Sequence, residues 1–108
     1  FSDVQETVTR PYDLKDVTAY GLRIDQVNGD SMMPMFRPGD IVIASPVATV
    51  LNNDMVIVKL CDGEVMFKIV EFSGDVIKLH SLNPRHELIK VSRDEICIMH
   101  KVVHIRKK

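Results

Sequence analysis

The 108-residue sequence has no long apolar run, no excess of positive charge and only two cysteines. A bilayer-spanning helix needs about 20 apolar residues, and a signal peptide needs a charged region before an apolar one. Neither occurs, so we expect a soluble cytoplasmic domain without membrane association. The formal net charge is −1, whereas a domain that neutralises many phosphates is basic. Direct DNA binding by this chain is therefore disfavoured.

The two cysteines, Cys61 and Cys97, stand singly and show no CxxC spacing. Each is embedded in apolar or hairpin sequence, so we expect reduced, packed thiols, with a disulfide as the less favoured alternative. Apolar residues make up 45% and charged residues 27% of the chain, which is the balance of a globular protein. The length is sufficient for one domain with one site.

Turn signals recur at short intervals and separate short segments rich in Val and Ile. These segments have the length and composition of strands, and no segment shows a sustained helical period with caps. The predicted strands cover residues 20–27, 40–45, 55–60, 64–70, 75–81, 88–91 and 96–105. The sequence therefore predicts a mainly β domain of short strands and hairpins over residues 20–108. Residues 1–19 are more polar and are expected to form an N-terminal arm or linker.

A hairpin is predicted around Asp62-Gly63, because glycine accepts the positive φ of tight hairpin turns. On its second strand side chains alternate, so Lys68 shares one face with Met66 and Val70. A lysine in such a strand has two explanations. Either the strand lies at an edge and the amine reaches water, or the amine is buried and its pKa is lowered.

One serine, Ser31, lies between turn signals in the stretch VNGDSMMPMFRPGD. A serine hydroxyl becomes a good nucleophile only with a base nearby, and histidine is the usual base. His80 and His86 flank an Asn-Pro turn, where solvated loop histidines are typical. His100 and His104 lie in a predicted strand, where four residues span about 13 Å, so one metal ion would not bridge them. We predict no metal site and no cofactor.

Two serine-enzyme signatures fail in this stretch. The GxSxG elbow lacks its second glycine, and position 34 of an SxxK signature is Pro34 rather than lysine. A serine paired with a lysine distant in sequence remains as an alternative to the Ser-His-Asp triad. A lysine acts as a base only when its amine is neutral, and the apolar strand around Lys68 provides surroundings that penalise the ammonium.

The stretch GDSMMPMFRPGDIVIAS resembles the serine motif of the LexA, UmuD and phage-repressor self-cleaving peptidases, Gly-x-Ser-Met-x-Pro followed by Gly-Asp and a strand. DGEVMFKIV resembles their lysine motif. Ser31 and Lys68 are 37 positions apart, the separation that LexA and UmuD have. LHSLNPRHELIKV is a weaker third match, similar to a Leu-x-Ser-x-Asn-Pro stretch. The resemblance covers about residues 20–106 and implies a LexA-like peptidase fold.

The resemblance implies that Ser31 is the nucleophile and Lys68 its general base. It also implies an oxyanion hole formed by the backbone N–H groups of Asp30 and Ser31. Five further residues match the serine motif and are expected to have structural roles, with Asp40 bonding local backbone N–H groups. These residues are Gly29, Met32, Pro34, Gly39 and Asp40.

In this family the substrate is usually the protein's own chain, cut at an Ala-Gly or Cys-Gly bond. Neither dipeptide occurs here, so we expect a C-terminal fragment or cleavage product. The resemblance further implies a helix-turn-helix DNA-binding domain outside this chain, a homodimer, and a RecA-type filament as a partner that favours cleavage.

Other functions stay open. The domain is alternatively a dimerisation and sensor module without cleavage, with residues 96–105 forming either an interface or a core strand. A UmuD-like role in DNA-damage tolerance uses the same dyad, and the upstream sequence would distinguish it. A signal-peptidase-like enzyme is disfavoured by the compact spacing of Ser31 and Lys68 and by the absence of a membrane anchor.

Overall fold

The structure, a computed structural model, describes residues 6–7, 19–24, 32, 35–37 and 39–107. These residues form eight strands and a short 3-10 helix at Arg93–Glu95. The strands are β1 Glu6–Thr7, β2 Tyr20–Arg23, β3 Ile41–Ser45, β4 Met55–Leu60, β5 Val65–Ser73, β6 Val76–His80, β7 Ile89–Ser92 and β8 Ile96–Arg106. Within the described ranges, no helix has the length and apolar character needed to cross a membrane.

All eight strands belong to one antiparallel sheet in the order β1-β2-β3-β8-β4-β5-β6-β7. The long C-terminal strand β8 lies between β3 and β4, and so joins the N-terminal strands to the hairpins that follow. The predicted mainly β fold is confirmed, and β2 to β8 each fall on one of the predicted segments. Strand β5 continues to Ser73, three residues beyond its predicted end. Within the expected arm, the backbone of Glu6–Thr7 pairs with β2.

The predicted turn between β4 and β5 is present. Gly63 has φ +101°, in the left-handed region that glycine adopts at little cost. Its N–H donates to the carbonyl of Leu60 at 2.9 Å, and the Leu60 N–H donates to the carbonyl of Glu64 at 2.8 Å. The Asp62 side chain accepts the Glu64 N–H at 2.9 Å. These bonds fix the register of the hairpin that carries Lys68.

Buried apolar side chains form two main clusters on opposite faces of β4 and β5. The first cluster consists of Tyr20, Leu22, Ile24, Met32, Phe36, Val42, Ala44, Ile57, Phe67 and Val102. The second cluster consists of Val56, Val58, Met66, Val70, Ile77 and Leu79. Successive side chains of a strand point to opposite faces, which is why Phe67 and Met66 belong to different clusters. Burial of each large apolar side chain contributes about 1.5–3 kcal/mol.

Cys61 directly follows β4, and Cys97 is the second residue of β8. The two form a disulfide with their Cα atoms 5.1 Å apart, so the prediction of reduced thiols is wrong. It failed because 36 positions separate the cysteines in the sequence, whereas the pairing of β4 with β8 places Leu60 opposite Ile96. Sequence spacing alone does not reveal that pairing.

Candidate active site

Lys68 lies in the middle of β5 and is buried, with 4% of its surface exposed. It shares a face with Met66 and Val70 of the second cluster, and Val56 lies opposite it on β4. The predicted alternation is therefore confirmed. Of the two explanations for this lysine, burial is correct and an edge position is wrong, because β5 lies between β4 and β6.

Burial lowers the pKa of the Lys68 amine, because an ammonium group loses hydration in apolar surroundings. The negative charge of Glu64 acts in the opposite direction and raises this pKa, but burial is the larger effect. A lowered pKa increases the fraction of neutral amine at a given pH. The neutral amine is the form that accepts a proton, so these surroundings suit a general base.

The amine of Lys68 has a hydrogen-bond partner on the neighbouring hairpin. Its Nζ donates to Oγ of Ser81 at 2.7 Å. Ser81 directly follows β6, and the pairing of Ile69 with His80 places Ser81 across from Lys68. A buried polar group without a partner is costly, so this bond offsets part of the penalty of placing the amine among apolar side chains.

The serine of the motif, Ser31, lies outside the described residues, as do Gly29, Asp30 and Pro34. The distance between Ser31 and Lys68 therefore stays a prediction. So does the oxyanion hole assigned to the backbone of Asp30 and Ser31.

The described part of the serine motif packs against the strand that carries Lys68. Met32, the residue after Ser31, is buried in the first cluster with 1% of its surface exposed. The ring of Phe36 meets that of Phe67 edge to face, with centroids 5.4 Å apart. Phe67 immediately precedes Lys68 and faces the other side of β5, so Met32 and Phe36 pack on the face of the strand opposite to Lys68.

The end of the serine motif is a tight turn. The N–H of Asp40 donates to the carbonyl of Arg37 at 3.0 Å, and Gly39 has φ +95°. The buried carboxylate of Asp40 accepts a hydrogen bond from the backbone N–H of Arg37 at 3.1 Å. It also forms an ion pair with the ammonium of Lys107 at 3.0 Å. Lys107 also donates to the carbonyl of Met35 at 2.6 Å. Lys107, the residue after β8, thus contacts both Met35 and Asp40, at the two ends of this short segment.

The histidines occupy other positions. His86 is exposed in the loop after β6, but His80 ends β6 and contacts Glu71 at 2.8 Å, so it is not the loop histidine that was expected. His100 and His104 lie in β8 as predicted, and Nδ1 of His100 is 2.7 Å from the hydroxyl of Tyr20. Among the residues that the structure describes, no group of three or more metal-ligating side chains comes together.

Two contacts at this site were not predicted. Ser81 falls within the LHSLNP match, yet only the register of β5 against β6 shows that it meets Lys68. Counting outward from the Ser73-Gly74-Asp75 turn would have suggested this pairing. Lys107 belongs to the basic sequence Arg106-Lys107-Lys108, and nothing in this sequence context points to Asp40.

Comparison with known proteins identifies the family of this chain. The sequence profile of the family described as Peptidase S24-like matches residues 3–103. LexA repressor 1 of Xanthomonas campestris pv. campestris is 36% identical over 83 residues, which are 73% of this chain and 41% of that protein. The chain thus spans less than half the length of this relative. The resemblance to LexA-like serine peptidase domains, consistent with a repressor-type protein, is confirmed. The chain belongs to the Peptidase S24-like family.

Proposed function

We propose that this chain is the self-cleaving peptidase domain of a transcriptional repressor, with Ser31 as nucleophile and Lys68 as general base. The observation that carries the proposal is the buried Lys68, whose pKa is lowered by its apolar surroundings. A structural lysine gains nothing from such a position, whereas a base near neutral pH requires it. Membership of the peptidase family supports the same role.

In the proposed reaction, the neutral amine of Lys68 takes the proton of the Ser31 hydroxyl while Oγ attacks the scissile carbonyl carbon. The N–H groups of Asp30 and Ser31 stabilise the resulting oxyanion. Collapse of the tetrahedral intermediate breaks the C–N bond, and the Lys68 ammonium returns the proton to the departing amine. Water then hydrolyses the ester, which restores Ser31 and releases a carboxylate.

Self-cleavage suits a site with little capacity to bind a free substrate. A scissile bond in the same protein has a high effective concentration at the site, so tight binding is unnecessary. Anchoring the nucleophile segment also favours reaction, because the reacting atoms spend more time in a productive geometry. The edge-to-face contact of Phe36 with Phe67 and the burial of Met32 are the contacts that support such anchoring here.

The repressor assignment is carried by the likeness to LexA repressor 1. The proposal includes a homodimer, DNA contact through a helix-turn-helix domain outside this chain, and a RecA-type filament that promotes cleavage. Strand β8 is paired along both edges, with β3 and β4, so it would not join two copies by strand addition. Sedimentation of the protein at increasing concentration tests the dimer, which a monomer at all concentrations would exclude.

Incubation of the full-length protein at alkaline pH tests the peptidase. We expect a single specific cut in the wild type, at a rate that rises with pH as the Lys68 amine loses its proton. Ser31→Ala and Lys68→Ala should abolish it. Lys78→Ala is the matched control, because Lys78 lies on the adjacent strand β6 and should be dispensable. No cut in the wild type, or an undiminished cut in either dyad variant, would end the proposal.

A further inference from the structure

The position of Ser81 is fixed from both sides. It follows the last residue of β6, and the next residue, Leu82, packs against the first cluster. Beyond it, the side chain of Asn83 accepts the N–H of Arg85 at 3.0 Å, and the Asn83 carbonyl accepts the N–H of His86 at 3.0 Å. Such an Asx turn holds the backbone in one conformation. The hydroxyl that meets Lys68 therefore stands on ordered backbone.

We propose that Ser81 is a positioning residue that orients the Lys68 amine for proton transfer from Ser31. The proposal rests on the proposed Ser31–Lys68 dyad. A lysine side chain has four rotatable bonds, and a neutral amine carries two N–H groups and one lone pair. Donation of one N–H to Ser81 at 2.7 Å restricts the directions in which the lone pair can point. A base whose lone pair is already oriented reacts more often.

A hydroxyl suits this task better than a carboxylate would. A carboxylate beside Lys68 would favour the ammonium and raise the pKa, which defeats a general base. Ser81 accepts the hydrogen bond without bringing a charge. The charged groups around this face are Glu64, which raises the pKa of Lys68, and Lys101 of β8, which is paired with Asp54 at 3.4 Å.

Loss of this hydrogen bond has a distinctive pH signature. A hydrogen bond stabilises the ammonium more than the neutral amine, because a charged donor makes the stronger bond. Removal of the Ser81 hydroxyl should therefore lower the pKa of Lys68 further. It should also slow the step in which the oriented amine takes the proton. The rate deficit should consequently be largest at alkaline pH and smaller near neutral pH.

The experiment measures the first-order rate of self-cleavage of the full-length protein from neutral to strongly alkaline pH. For Ser81→Ala we expect an alkaline plateau lower by about tenfold, and a rate–pH midpoint displaced to lower pH. Ser81→Thr keeps a hydroxyl and should restore both values to near wild type. Ser73→Ala, at the exposed end of the same hairpin, is the matched control and should leave both unchanged. Thermal melting of each variant shows that it is folded.

The outcomes separate the two proposals. A wild type that does not cleave refutes the dyad itself. With a cleaving wild type, three results overturn the role of Ser81: an unchanged profile in Ser81→Ala, a lower plateau without a midpoint shift, or no recovery in Ser81→Thr. Total loss in Ser81→Ala together with persistent cleavage in Ser31→Ala would make Ser81 the nucleophile, and so overturn both.

Discussion

The two buried clusters lie on opposite faces of β5, and each contacts different residues of the candidate site. The first cluster includes Met32 and Phe36, two apolar side chains of the serine motif, and the ring of Phe36 meets that of Phe67 edge to face. The second cluster borders the amine of Lys68, whose hydrogen bond goes to Ser81. Strand β5 thus packs against Met32 and Phe36 on one face and buries the Lys68 amine on the other. The packing favours stability, whereas burial of the amine costs stability.

Replacement of Lys68 by methionine should have the largest effect, because it changes both the rate of self-cleavage and the free energy of unfolding. Methionine keeps an unbranched side chain without the amine. Self-cleavage should fall by at least about 100-fold, the range for loss of a general base. At neutral pH the free energy of unfolding should rise by about 1 kcal/mol, because a buried charge is replaced by an apolar group. Urea unfolding and gel-based cleavage assays of the full-length protein measure the two effects.

The same variant has a pH-dependent test. Since burial lowers the pKa of Lys68 in the folded state, the unfolded state binds more protons between that lowered pKa and the unfolded value of about 10.4. Wild-type stability should therefore gain from rising pH across this window, relative to Lys68→Met. A variant less stable than the wild type at both ends of the window would show that burial of the amine carries no penalty.

The next largest effect is expected for Phe67→Ala, which should cost about 3–5 kcal/mol of unfolding free energy. Phe67 is fully buried, and its loss leaves a cavity beneath Phe36. Because Phe36 belongs to the serine motif, cleavage by the folded fraction should slow as well. Ile77→Ala in the second cluster is the matched control. It should cost about 2–5 kcal/mol. Because Ile77 pairs with Phe72, four residues along β5 from Lys68, the cleavage rate of folded protein should stay intact. Equal slowing in both variants would contradict an anchoring role for the first cluster.

Local signals in the sequence predicted the strands well, because turn residues and β-branched runs act over a few positions. The burial side of Lys68 followed from alternation along β5 for the same reason. Contacts between strands that are distant in the sequence were not predictable. The Cys61–Cys97 disulfide requires β8 to lie beside β4, which follows from the sheet as a whole. The bond from Lys68 to Ser81 depends on the register of the β5–β6 hairpin, which counting outward from its turn would have suggested.

Removal of the disulfide should have an intermediate effect. Cys61 and Cys97 close a loop of 36 positions, and loss of such a link costs about 2–4 kcal/mol in the chain-entropy account. The bridge lies beside Leu60 and Ile96, which pack against the second cluster, so that cluster should loosen first. We expect the Cys61→Ser/Cys97→Ser variant to unfold at lower urea than the oxidised wild type. Added reductant should bring the wild type to the same midpoint and leave the variant unchanged. A wild type insensitive to reductant would contradict the bridge.

The smallest effect is expected at Lys107, which contacts the serine motif from outside the first cluster. Its side chain is 57% exposed, whereas that of Asp40 is 6% exposed. Water around the ammonium screens the pair, so we expect a contribution near the upper end of the range of about 0–1 kcal/mol for exposed pairs. Lys107→Ala should therefore lower the unfolding free energy by less than about 1 kcal/mol, and added salt should weaken the wild type towards the variant. Lys90→Ala, on the exposed strand β7, is the control. The Lys107→Ala variant loses the ammonium that lies 4.9 Å from the centroid of the Phe36 ring. Asp40 keeps the N–H of Arg37, and Phe36 keeps its edge-to-face contact with Phe67, so this part of the motif should stay in place. A loss above about 2 kcal/mol would mean that the buried carboxylate of Asp40 depends on Lys107, and would contradict a minor role for this contact.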